Sequence, residues 1–189
     1  MVALPGLMNV LSQNYRGLEN PRTVNALERI WKKEAPICVF LMEKKISTDQ
    51  LNTKKQNWDY NQGLMVSSDG RSGGLALMWK SDTKVHVKNF SRCFIDAHMF
   101  CETTGLCWRL TGFYGHHETS KREETWTLLR SLGQSNHLPW LCVGDFNEIT
   151  SQSEKVGRCL RPTRQMDHFC IAIHNCNFID LGYFGSPFT

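Results

Sequence analysis

No apolar run in this chain of 189 residues approaches the roughly 18 residues that a membrane-spanning helix needs, so no spanning helix is expected. The opening, "MVALPGLMNVL", has neither a basic n-region nor a small-residue cleavage site. Pro5, Gly6 and Asn9 interrupt its apolar stretch, so it does not read as a signal peptide. The eight cysteines (Cys38, Cys93, Cys101, Cys107, Cys142, Cys159, Cys170 and Cys176) form no C-x-x-C pair, and the usual zinc-ligand spacing is therefore absent. Several sit within apolar runs such as "ICVFLM" and "WLCVG", where a reduced thiol packs as a small core residue. Reduced, structural cysteines fit an intracellular compartment. Internal repeats, low-complexity tracts and linkers are missing too.

What is there is a globular composition: 41% hydrophobic and 21% charged residues. The length suits a single domain with an ample core. The net charge of +4 is unevenly placed. Residues 1–95 hold 14 Lys and Arg against 8 Asp and Glu, a balance of +6, whereas residues 96–189 hold 8 against 10, a balance of −2. A basic first half suits an anionic partner, but many proteins with other partners share such a bias.

"MNVLSQN" (8–14) reads as a strand. "NPRTVNALERIWKKEA" offers Asn20 as N-cap and Pro21 at the first helical position, with Val24, Leu27, Ile30 and Trp31 on one face. Pro36 ends that helix, and "ICVFLME" (37–43) is a buried strand. From about residue 58 the period changes. "LMVSS", "GLALMW", "KVHVKNF", "FIDAHMF" and "CWRLTGFY" are short runs separated by turn residues, the pattern of antiparallel strands. "ETSKREETWTLLRSLG" returns to helical period, with Ser120 and Glu123 as a capping box and Trp126, Leu129 and Leu132 as the apolar face. "WLCVGD" is a strand again, and "TRQMDHFCIAIHNCN" a helix with Met166, Phe169, Cys170 and Ile173 inward. Helices among many antiparallel strands indicate an α+β domain built on packed sheets.

Three strands end in oxygen-rich groups: Asn14, Glu43, and the pair Asp145 and Asn147. Amide and carboxylate oxygens are hard ligands, suited to Mg²⁺ or Mn²⁺. Strand alternation would point Asp145 and Asn147 to one side, with Phe146 turned into the core. A lone acid at a strand end is more commonly a turn former or helix cap, and Glu43 beside Lys44 and Lys45 also fits a solvated charge pair. Bare spacing leaves both readings open.

"NYRGLENPRTVNALERIWKKEAPICVFLME", "GFYGHHETSKREETWTLLRSL" and "LPWLCVGDFNEITSQSEKVG…RPTRQMDHF" resemble the endonuclease/exonuclease/phosphatase superfamily. More narrowly, they are similar to the endonuclease domain that precedes reverse transcriptase in plant LINE-type non-LTR retrotransposons. The resemblance covers nearly the whole chain from about Met8, and "GDFNE" with upstream "LME" and "NYRG" is a specific combination. It implies a four-layered sandwich, two packed mostly antiparallel sheets with helices outside, over one domain spanning residues 1–189. It implies Mg²⁺- or Mn²⁺-dependent phosphodiester hydrolysis of DNA. Asn14, Glu43 and Asp145 would hold the metal. Tyr114 would position the scissile phosphate, Asp145 would orient or deprotonate water, and Asn147 would stabilise the phosphate. Phosphodiester chemistry has those needs, since the anionic ester repels a nucleophile until its oxygens are neutralised. Relatives would carry a fused reverse transcriptase, and the chain itself is expected to be a monomer inside the cell, the nucleus included, with no membrane partner.

The match has departures. Ser12-Gln13-Asn14 stands where the family usually has Ser-Trp-Asn. The resemblance also implies a further aspartate and a late Asp-His pair, which this sequence lacks, so the domain is read as incomplete at its C-terminus. Asp167-His168 lies mid-helix and is a poor substitute. A weakly active or inactive nuclease copy, a non-catalytic nucleic-acid-binding remnant, and a phosphatase acting on small phosphoesters or lipids are the alternatives. Arg158, Arg161 and Arg164 fit either a solvated face or a DNA-facing loop.

Overall fold

The computed structural model describes residues 2–4, 8–15, 21–43, 58–67, 74–102, 104–134, 137–157 and 159–182. Two compact units emerge, Met1–Tyr114 with Leu138–Asp145, and Gly115–His137 with Phe146–Thr189. The first unit holds the strands β1 (Val2–Leu4), β2 (Met8–Tyr15), β3 (Cys38–Glu43), β4 (Gln62–Val66), β5 (Gly74–Trp79), β6 (Lys84–Phe90), β7 (Phe94–Phe100), β8 (Cys107–Tyr114) and β9 (Trp140–Asp145). They form two sheets, ordered β1-β2-β3-β5-β4 and β6-β7-β8-β9. Most pairings are antiparallel. β2 with β3 and β8 with β9 run parallel, one such pair in each sheet. The α+β class with two packed, mixed sheets is thus the observed one.

Alternation along the strands decides what each face meets. Val10, Cys38, Phe40, Met42, Leu75, Leu77 and Trp79 of the first sheet share one buried cluster with Ile95, Ala97, Met99, Trp108, Leu110, Leu141 and Val143 of the second. The sheets therefore pack face to face. Gly112 faces the Phe40 ring in that packing, and a Cβ there would lie 2.3 Å from it. On the other face of the first sheet, Leu11, Val39, Leu41, Ala76 and Met78 pack against α1 (Pro21–Glu34) through Val24, Leu27 and Trp31. Ile30, expected on this face, is 36% exposed, because the stripe steps from Val24 to Leu27 and then by four residues to Trp31, leaving Ile30 at its margin. The helix ends on Ala35 in a left-handed conformation (φ 42°), whose N–H reaches Trp31 O at 2.8 Å, and Pro36 prevents continuation. Asn20, the expected N-cap, lies outside the described residues.

The second unit pairs α2 (Arg122–Gln134) with α3 (Thr163–Asn175). Trp126, Leu129 and Leu132 are buried as the helical period requires, and Trp126 packs on Phe169 with ring centroids 4.6 Å apart. Two details depart from expectation. Ser120 falls in a 3-10 turn (Thr119–Lys121) that precedes the helix, and Glu123 turns its carboxylate to Arg130 (3.1 Å) and His168 (2.8 Å) instead of capping. Cys170 is exposed, and Ala172 takes the inward place three residues after Phe169. No helix among the described residues is long and apolar enough to cross a membrane.

Gly112→Ala is expected to destabilise the protein by about 1–3 kcal/mol through overpacking. Phe40→Leu in the same chain should recover part of that loss, and a strictly additive double mutant in denaturant unfolding would refute the contact. Burial pushes the Glu123 carboxyl up, but its hydrogen bonds with Arg130 and His168 outweigh this and hold it below the ordinary glutamate value. A depressed folded value means stability that is present above the unfolded glutamate range and lost as pH falls through the folded value. Because Glu123 is half exposed, the difference in melting temperature between wild type and Glu123→Gln should be small at pH 7 and should vanish near pH 3. A difference that persists unchanged at pH 3 would refute it.

Candidate active site

The two parallel strand pairs carry the expected site residues at their carboxyl ends. On β2 and β3, Asn14 is level with Met42 and Tyr15 with Glu43. On β8 and β9, Tyr114 is level with Asp145. Carboxyl ends of parallel strands are where α/β folds commonly gather functional groups, since loops there spring from a rigid edge. The face-to-face packing of the sheets brings two of these ends together. Asn14 Nδ2 donates to Asp145 Oδ2 at 2.6 Å, closing a contact between residues 131 apart in sequence. Asp145 N–H meets Met42 Sδ at 3.2 Å, so β3 also touches the end of β9.

Gly144 makes the end of β9 possible. Its φ of 147° is open to glycine and to few other residues. A Cβ there would lie 1.8 Å from the carbonyl oxygen of Phe113, its register partner on β8. A glycine inside a strand is a sequence signal of such close approach, and it stands one residue before the key acid. Tyr114 is half-buried and packs against the inter-sheet core, and its N–H donates to Cys93 O at 2.7 Å. Tyr114 is thereby fixed along with Asp145. Glu43 belongs to β3 by its backbone pairing with Tyr15 and Gly74, while its side chain lies outside the described residues.

Asn147 does not continue the alternation of β9. The strand ends at Asp145, and Asn147 takes a left-handed φ of 55°, a conformation asparagine tolerates better than most residues. The expectation that Asp145 and Asn147 share a strand face is corrected on that ground. Asn147 Nδ2 donates instead to Gly115 O at 2.7 Å within the second unit. Phe146, expected to turn into the strand's core, packs on Phe169 at 5.4 Å. Gly115 permits this, as a Cβ would fall 2.0 Å from Phe146 O.

Glu148, the second acid after β9, has a structural task. Its carboxylate is fully buried between Arg122 Nη1 and Arg161 Nε, each at 2.8 Å. Arg122 also donates to the carbonyl oxygens of His116 and His117. Arg161 is half-buried, and its guanidinium pairs with Glu148 within the protein. Arg164 is exposed, and Arg158 lies outside the described residues. Sequence spacing alone did not show this ion cluster, because its members are 26 and 13 residues apart. His168 is mid-helix, as expected, and paired with Glu123.

Asn14 and Asp145 offer amide and carboxylate chemistry at an accessible sheet edge, a donor set that suits a hard divalent cation and not a soft one. Among the described residues no three His, Cys, Asp or Glu side chains form a metal-binding group.

Gly144→Ala should cost about 3 kcal/mol or more, since the added methyl meets backbone and not a movable side chain. Near-wild-type stability in this variant, read by denaturant unfolding, would show that the close approach of β8 and β9 is not required.

Comparison with known proteins places this architecture. A model of the endonuclease/exonuclease/phosphatase family matches residues 6–184. Among solved structures, a Neisseria 3′ phosphatase, NExo, bound to a product DNA hairpin is similar, with 15% identity, a TM-score of 0.63, and coverage of 89% of this chain and 71% of that one. An AP endonuclease from Leishmania major gives 12% identity and a TM-score of 0.63, covering 89% of this chain and 66% of that one. A mannosyl-6-phosphatase from Bacteroides thetaiotaomicron gives 16% identity and a TM-score of 0.58, covering 86% and 69%. This chain thus spans about two thirds of the length of the solved structures it resembles. No curated protein sequence matches it. At such identities the likeness is one of fold, and with the family model matching residues 6–184 the chain belongs to the endonuclease/exonuclease/phosphatase family.

Proposed function

We propose that the edge built by Asn14, Glu43, Tyr114 and Asp145 is the site of a divalent-metal-dependent phosphodiester hydrolase acting on DNA. The observation that carries the reading is the 2.6 Å clasp between Asn14 and Asp145, which joins the carboxyl ends of one parallel pair in each sheet. The resemblance of "NYRG", "LME" and "GDFNE" to LINE-type endonuclease domains supports DNA as the substrate.

In this reading Asn14, Glu43 and Asp145 hold Mg²⁺ or Mn²⁺, which when bound neutralises phosphate oxygens. The Asn14 amide fixes the orientation of the Asp145 carboxylate, and Asp145 aligns a water molecule and takes up its proton. Tyr114, rigid at the end of β8, positions the phosphate. Asn147 stabilises the charge that develops on it, and its bond to Gly115 sets its orientation. A phosphatase acting on small phosphoesters is the second reading. The mannosyl-6-phosphatase among the similar structures favours it, since the same fold there serves a phosphomonoester.

Mg²⁺ should raise thermal stability, by about 1.4 kcal/mol when free Mg²⁺ is ten times its Kd, and Glu43→Gln should remove the increment. Identical wild-type melting curves with and without Mg²⁺ would overturn the metal assignment. For activity, groups that act as a unit are non-additive. The 189-residue chain, without the late Asp-His pair that the resemblance implies, is expected not to nick supercoiled plasmid. A chain that carries the pair should nick it, and Asp145→Ala should abolish the nicking. Turnover of a sugar phosphate with intact plasmid would select the phosphatase reading.

A further inference from the structure

One strongly charged surface has no part in the edge described above. Along β6, Val85 and Val87 pack against the inter-sheet core, so the alternate residues Lys84 and His86 face outward. Cross-strand register sets His86 beside His98 and Lys84 beside Phe100. A register shift between Val87 and Asn89 makes Lys88 the bulged residue. Lys84, His86 and Lys88 are all exposed, and Phe100 is 40% exposed, with Lys84 Nζ 5.7 Å from its ring centre. The acids nearby are few. Asp96 is buried and engaged by Arg109 at 2.7 Å and Thr111 at 2.5 Å. Glu102 pairs with Lys84 at 2.5 Å, but both are more than 60% exposed, so the pair is weak and exchangeable. Burial, then Lys88, hold His98 below the ordinary histidine value, with Arg109 and His86 acting in the same sense and Asp96 opposing. The exposed Lys84 and Lys88 therefore leave this face positive beside a neutral His98, and an anion is favoured there.

We propose that the outward face of β6, with His98 and Phe100 of β7, is a track for a single-stranded nucleic acid. Two residues of strand advance about 6.7 Å, so outward side chains recur at a spacing comparable to that of successive phosphates on an extended single strand. Lys84, His86 and Lys88 take phosphates, and Phe100 offers a platform on which one base stacks. The track has a direction. Phe90 is level with Ile95, Ile95 with Gly112, and Gly112 with Val143, so β6 leads from Lys84 towards the end of the sheet that carries Asp145. β9 lies three strands over, roughly 14 Å away at ordinary strand spacing. The proposal extends the hydrolase reading by naming the form of substrate held, yet binding is measured apart from hydrolysis.

The test is fluorescence anisotropy of the whole chain with a labelled oligo-dT in EDTA, where no metal-dependent cleavage occurs. Wild type should bind at low salt, and Lys84→Glu with Lys88→Glu should weaken binding about tenfold or more. The salt slope should fall by about 1.4 for the two lost contacts. Lys32→Glu with Lys33→Glu on α1, an equal change of charge elsewhere, should have little effect. Phe100→Ala, which leaves charge unchanged, should weaken binding even at high salt. Absence of binding, equal loss in the two charge-matched variants, or tighter binding of a duplex of the same length would each overturn the proposal. Binding is read in EDTA and nicking only in Mg²⁺, so failure of the hydrolase reading and failure of the track are distinguishable.

Discussion

The distance between the two sheets is the constraint on which the site depends. Gly112 has no side chain where the Phe40 ring lies, and Phe40 belongs to the inter-sheet cluster. A wider gap would carry β2 away from β9, and a hydrogen bond of 2.6 Å between Asn14 and Asp145 tolerates little of that. The geometry of the site is thus fixed by core packing well before any polar residue is considered. Interiors are close-packed, so a shift at Gly112 is transmitted and not absorbed.

Charge in this molecule divides by burial. Asp96 and Glu148 carry carboxylates withdrawn from solvent, and each is paired with arginine, Asp96 with Arg109 and Glu148 with Arg122 and Arg161, as buried charges must be. Arg109 also lies over Trp140 at 4.2 Å, whose indole N–H bonds Thr111, so one buried network ties β7, β8 and β9. These groups hold the strands and helices in register. Asn14 and the outward residues of β6, by contrast, remain accessible. The segment "GDFNE" divides along the same line: its first acid joins the sheet edge, its amide turns the chain, and its second acid is buried between two arginines.

Much of this was legible in the sequence because period and burial coincide. Leu27 and Trp31 repeat at helical spacing, and "ICVFLME" is apolar on both faces because α1 covers one side and the second sheet the other. Less legible was the break between β5 and β6. Five antiparallel runs look alike in sequence, yet β4 and β5 complete one sheet and β6 to β8 open another, a choice made by packing and not by strand propensity. Asn147 misled because alternation was extended two residues past the last strand pairing, where a left-handed turn takes over. Cys170 misled because a thiol counts as apolar in any periodic pattern, while Ala172 beside it fits the helix interface better.

The site also says when in folding it can exist. Asn14 and Asp145 are 131 residues apart, and neither the β2–α1–β3 segment nor the β8–β9 pair contains both. Each parallel pair requires a long crossover before its strands meet, and loop closure of that length opposes early formation. The clasp therefore closes only when both crossovers and the inter-sheet core are in place. Functional geometry and global stability are consequently linked in this fold. Any substitution that loosens the contact of Gly112 with Phe40, or the approach of Gly144 to Phe113, acts on the geometry at Asp145 without touching it.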